Sequence, residues 1–125
     1  ILSSWEEQSE HDYRYLALFR KVRDRFLNLA IPFSNINERN DCDIYVKSYR
    51  GEFKFVLGDG NNLNERIQRS LGSKEKVILV FKDDEDKMKF YEKITTMGGG
   101  EGIKIAIING KLVMISYNEI QNIVK

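Results

Sequence analysis

The sequence predicts a single α/β domain: a long N-terminal helix, then a central mixed sheet with helices packed on it. Three observations point there. Apolar residues recur at steps of three and four through the first thirty positions, which marks a helix. Alternating and continuous apolar runs farther on mark strands, and helical and strand-like segments alternate along the chain. The size fits one core, since 125 residues that are 42% hydrophobic and 31% charged leave too little for two. The single domain is expected to span residues 1–125.

Ser4 with Glu7 three positions on forms a capping box, and Tyr15, Leu18, Val22, Phe26 and Leu29 supply the apolar stripe of a helix over residues 4–29. Pro32 forbids its continuation and biases Ile31 toward extended backbone, giving a short strand over 31–36. Residues 43–48 and 52–57 alternate apolar and polar around the turn Tyr49-Arg50-Gly51, the pattern of a hairpin. Leu63, Ile67 and Leu71 line a short helix that stops at Gly72. Val77 to Phe81 is nearly all apolar, as a central strand buried on both faces would be. The acids Asp83 to Asp86 suit the start of the next helix, whose apolar residues include Met88, Phe90, Tyr91, Ile94 and Met97. Finally, 103–108 and 112–115 flank Asn109-Gly110, which predicts a C-terminal hairpin, and Asn118 is placed to cap a last helix through Val124.

Composition narrows the function. Twenty Lys and Arg against nineteen Asp and Glu give a formal charge of +1, so nucleic acid or anionic lipid would have to be met by a local patch. One cysteine, Cys42, and one histidine, His11, rule out a disulfide framework, a cysteine zinc site and a histidine-rich metal cage. The chain has no apolar run of membrane-spanning length, and its first residues lack the order of a signal peptide. An intracellular protein, cytoplasmic or nuclear and not membrane-bound, is the expectation, and the start at Ile1 points to processing or trimming.

The grouping richest in chemistry is Asp43 on one strand and Glu52-Phe53-Lys54 on the next. Residues two apart on a strand share a face, so Glu52 and Lys54 stand side by side. Paired carboxylates can hold Mg²⁺ through hard oxygen ligands, and an adjacent lysine can orient a water or stabilise charge on a phosphate. With this pattern the chain resembles the PD-(D/E)xK, or restriction-endonuclease-like, nuclease superfamily. The resemblance implies a core of helix, three strands, helix and strand, and that order is present from Ser4 to Lys82. It further implies metal binding by Asp43 and Glu52, catalytic roles for Asp43, Glu52 and Lys54, Mg²⁺ as cofactor, and nucleic acid as the bound or cleaved partner. Glu7 or Glu10 would match an extra helical acid of the resolvase branch. Cys42 stands where the family often has Pro, and only eight residues separate the two acids.

Strand register decides whether that site can form. With a two-residue turn, Tyr49-Arg50, Asp43 lies opposite Val56 and Glu52 is about 13 Å farther along, beyond a shared metal. With a wider turn over 47–50, Asp43 faces Lys54 and the acids are diagonal neighbours. The competing reading makes Glu52 and Lys54 the solvent face of an amphipathic strand.

Arg14, Lys21 and Arg25 on the first helix, with Arg50, are candidates for phosphate contacts, and Tyr13 or Tyr49 for stacking on an unpaired base. Asp12 and Asp24 oppose that charge. The glycine clusters 58–60 and 98–102 match no phosphate-binding fingerprint, and His11 reads as a solvated helical residue. A rival reading makes the chain a noncatalytic protein-interaction module within a larger assembly, an inert version of the same fold that offers an exposed strand of its closing hairpin to a partner.

Overall fold

Helix α1 (Leu2–Asn28) opens the chain in the computed structural model, which describes residues 2–31, 33–36, 41–58, 62–72, 74–96 and 100–123. The side chains of Ser4, Glu7, Glu10 and His11 lie outside the described residues, as do Pro32, Asp59, Gly60, Gly98, Gly99 and Val124. Helix α1 ends in a Schellman motif: the Ile31 N–H donates to the Phe26 carbonyl at 2.9 Å and the Ala30 N–H to that of Leu27 at 3.0 Å. Ala30 occupies the left-handed position at φ 56°, and the motif aims Ile31 into the core, where it is buried.

Five strands form one sheet in chain order: β1 (Phe33–Ile36), β2 (Ile44–Ser48), β3 (Gly51–Leu57), β4 (Lys76–Phe81) and β5 (Leu112–Ser116). Strand β2 runs antiparallel to β1 and β3, whereas β3, β4 and β5 are mutually parallel. A parallel step needs a crossover, so helix α2 (Leu63–Ser70) joins β3 to β4, while α3 (Asp84–Thr96) and α4 (Glu101–Ile108) join β4 to β5. A 3₁₀ helix, Tyr117–Asn122, closes the described chain.

Helices on both sides leave the central strands without a wet face. On one side Leu18, Val22 and Phe26 of α1 and Ile120 and Ile123 of the closing segment pack on Phe53, Phe55, Leu57, Ile78, Val80 and Ile115. On the other, Ile67 of α2, Phe90 and Ile94 of α3 and Ile103 and Ala106 of α4 pack on Val56, Val77, Leu79, Phe81 and Leu112. Asp83 caps α3 by accepting from the Asp86 N–H at 2.8 Å, so the acidic run begins that helix. Ser116 and Glu119 form a capping box at the start of the 3₁₀ segment.

The expected C-terminal hairpin is corrected. Residues 101–108 are helix α4, and β5 pairs with β4, not with residues 103–108. Within α4 the buried residues Ile103 and Ala106 are three apart and Ile105 and Ile108 face solvent, which is helical spacing. Gly110, at φ 80°, sits just past the α4 C-cap, Asn109, and its N–H donates to the Ile107 carbonyl at 3.2 Å. Asn-Gly supplies a left-handed residue equally to a tight hairpin and to a helix end, and here it ends a helix.

Candidate functional site

The β2–β3 turn is the short one. Ser48 pairs with Gly51, leaving Tyr49 and Arg50 as the two turn residues. The Ser48 hydroxyl braces it, donating to the Gly51 carbonyl at 3.0 Å and accepting from the Arg50 N–H at 3.3 Å, and Gly51 takes φ 131°. Glu52 therefore lies opposite Lys47, and Lys54 opposite Tyr45. The same register puts Asp43, one residue before β2, beside Val56, so Glu52 is about 13 Å away along the strands. The expectation of a metal shared by Asp43 and Glu52 is thus corrected: the turn is too short to bring them together. The β3 positions nearest Asp43 on its own face hold Val56 and Lys54, and neither supplies a second acid.

Asp43 has other work. One of its carboxylate oxygens, Oδ2, accepts from the Leu57 N–H at 2.8 Å and from the Arg66 guanidinium at 2.7 Å, fastening the start of β2 to the end of β3 and to α2. Lys54 has no solvent exposure. Its ammonium pairs with the Asp41 carboxylate, donates to the Ser70 carbonyl at 3.3 Å, and lies 3.9 Å from Glu75 Oε2. The Ser70 hydroxyl in turn bonds the Asp41 carbonyl. A hollow of about 180 Å³ beside this network is bordered by Asp41, Cys42, Asp43, Arg66 and Arg69. Three acids (Asp41, Asp43, Glu75) and three cations (Lys54, Arg66, Arg69) share this end of the sheet, so opposite charge is already supplied where a divalent ion would need a surplus of carboxylates. No group of three or more His, Cys, Asp or Glu suited to a metal gathers among the described residues. The residues present do not fit the Mg²⁺ that the resemblance implies.

The expected nucleic-acid contacts are dispersed. Lys21 and Arg25 border one hollow with Asp24, Arg14 a second with Asp86, and Arg50 a third with Glu52 and Glu119. Arg25 is committed to structure, its Nε donating to the Ile123 carbonyl at 2.8 Å. Tyr49 and Tyr13 are both well exposed. Among the described residues, each of these hollows has an acid beside its cations.

Sequence reasoning missed Asp41, Arg66, Ser70 and Glu75 as partners of Asp43 and Lys54. The available signal was Lys54 itself, which sits between Phe53 and Phe55 in a strand adjoining the apolar run Val77 to Phe81.

A second charged cluster joins α3 to the chain end. Glu119 Oε1 accepts from Lys87 Nζ at 2.7 Å and from the Ser116 N–H at 3.1 Å. The hydrogen bond from Lys87, with those from Ser116, holds the Glu119 carboxyl below its ordinary pKa despite partial desolvation, and the bond to Glu119 raises that of Lys87.

Fold and site together define an α/β protein with a mixed five-stranded sheet and a buried ion-pair network at the head of β2. No family model matches the chain, and neither a curated protein nor a solved structure matches it significantly. No described helix is long and apolar enough to cross a membrane.

Proposed function

We propose that this domain is a noncatalytic protein-interaction module built on a restriction-endonuclease-like sheet. The strand order, with β2 alone reversed among five, supports the nuclease-like core. The observation that carries the loss of catalysis is the register: beside Asp43, β3 offers Val56 and a buried, ion-paired Lys54, while Glu52 stands at the far end of the hairpin.

A sheet edge that no further described strand pairs with supports the interaction role. Strand β5 ends the sheet, and its sequence Leu-Val-Met-Ile-Ser has no charge and no proline to discourage a further strand. Beside it lies an apolar groove of about 410 Å³ that includes Met88, Tyr91, Ile107 and Met114, and nearby on α4 Ile108 is 85% exposed. The occupant that suits this edge is an extended segment of a partner protein, pairing its backbone with β5 and placing apolar side chains in the groove.

The test has two arms. Incubated with Mg²⁺ or Mn²⁺ and duplex, junction and single-stranded substrates, the protein is expected to cut none; metal-dependent cleavage abolished by Asp43→Asn would overturn the proposal. Co-purification of a partner should be lost in Met88→Asp and Ile108→Asp and retained in Asp43→Asn. The reverse pattern would place the contact at the ion-pair network.

A further inference from the structure

A further cavity lies away from the Asp43 network and meets the β5 groove only at Val113. It occupies about 670 Å³ at the N-terminal ends of β3, β4 and β5, and no described α1 residue borders it. Its floor is apolar, made by Phe53, Ile78, Val113 and Ile115, with Ile123 as a wall. Volumes of roughly 300–1,000 Å³ suit small organic ligands, and an apolar floor with a few polar groups is their usual setting.

The rim carries a directional charge. Lys76 is the register partner of Phe53 and lies two residues before Ile78, so strand alternation puts its side chain on the face of that floor. Arg50, in the β2–β3 turn, stands at the same mouth. Both are exposed, and neither forms an ion pair among the described residues. The rim acids do not cancel them. Glu119 is bound by Lys87 and Ser116, while Glu52, one position before Phe53, alternates to the opposite face of the sheet, where Lys47 stands across from it. The mouth therefore presents two uncommitted cations above an apolar cavity.

We propose that this cavity is a binding site for a small amphiphilic anion: an apolar body resting on Phe53, Ile78 and Ile115, with one carboxylate, sulfonate or phosphate held by Lys76 and Arg50. The site is independent of the protein-interaction reading.

The probes are 1-anilinonaphthalene-8-sulfonate and its uncharged relative N-phenyl-1-naphthylamine, titrated by fluorescence into the folded protein. The sulfonate is expected to bind saturably at one site, with blue-shifted emission. Lys76→Glu and Arg50→Glu, exposed changes that leave the core untouched, should each weaken the sulfonate about tenfold, equivalent to about 1.4 kcal/mol. They should leave the uncharged probe within about twofold. Met88→Asp, in the β5 groove alone, should alter neither. Absence of saturable sulfonate binding overturns the proposal. Equal loss of both probes in Lys76→Glu overturns the anion requirement, and loss in Met88→Asp with retention in Lys76→Glu moves the probe to the β5 groove and overturns the site.

Discussion

Replacing Lys54 with Met keeps most of the side chain's volume and removes its charge. Asp41 and Glu75, with side chains only 20% and 13% exposed, would then keep their carboxylates without the ammonium between them, and the Ser70 carbonyl would lose a donor. Breaking a buried pair from one side costs about 3–5 kcal/mol because the remaining charge is stranded. Some water reaches both acids, so the lower end applies, and Lys54→Met should lose about 3 kcal/mol. In a domain whose total stability is about 5–15 kcal/mol, that is a large share. Urea unfolding followed by circular dichroism would read it as a fall in midpoint at unchanged slope. The combined variant Lys54→Met, Asp41→Asn, Glu75→Gln removes the stranded charges and should regain at least 1 kcal/mol of that loss, roughly the desolvation penalty of one unsatisfied charged group. As a reference, Lys89→Met at the exposed Lys89–Glu85 pair should leave the urea midpoint essentially unchanged. A Lys54→Met protein within about 1 kcal/mol of wild type, or a combined variant no more stable than the single one, would refute the stranded-charge argument.

Other substitutions probe the backbone and the chain end. A methyl group at Gly58 would stand 2.5 Å from Cδ1 of the buried Phe81 ring, so Gly58→Ala should destabilise by about 1–3 kcal/mol in the same urea assay. Ala30→Gly should do the opposite, relieving the left-handed backbone at φ 56° by about 0.5–1 kcal/mol; a loss of stability there would contradict the Schellman assignment. Because Glu119 has a lowered pKa in the folded state, its pairing with Lys87 contributes fully above the ordinary carboxyl range and is lost as pH falls through the folded pKa. Wild type should therefore exceed Glu119→Gln in thermal stability at neutral pH and converge with it once pH has fallen below the lowered folded pKa, whereas a gap that persists in strong acid would separate the stabilisation from the charge. Calorimetric titration with Mg²⁺ or Mn²⁺ should give no saturable binding; binding removed by both Asp43→Asn and Glu52→Gln would contradict the register.

The α/β class was legible because period and length separate amphipathic helices from short apolar strands. The β2–β3 turn was only half legible. The spacing of Asp43 and Glu52 allowed two registers, and the short one is favoured by a serine hydroxyl and a glycine at positive φ, both present in Ser48-Tyr49-Arg50-Gly51. Lys54 misled because alternation marks which residues share a face and leaves open whether that face meets water. Here α2 and the chain preceding β2 cover it, through Ser70 and Asp41, which lie 16 and 13 residues away in sequence. Helix α4 was read as a strand for a related reason. A short run rich in isoleucine fits either form, and the packing of Ile103 and Ala106 against the sheet resolves it.

Helix α1 packs its buried stripe against Ile120 and Ile123, and Arg25 bonds the Ile123 carbonyl from 98 positions earlier. During synthesis α1 leaves the ribosome before the sheet and the closing 3₁₀ segment that pack against it. Until they emerge, Leu18, Val22 and Phe26 lack part of their cover, and the nascent domain carries a partly uncovered apolar helix until Ile123 has been made. A stall or truncation before Tyr117 would leave that helix available to chaperones and to other unfinished chains.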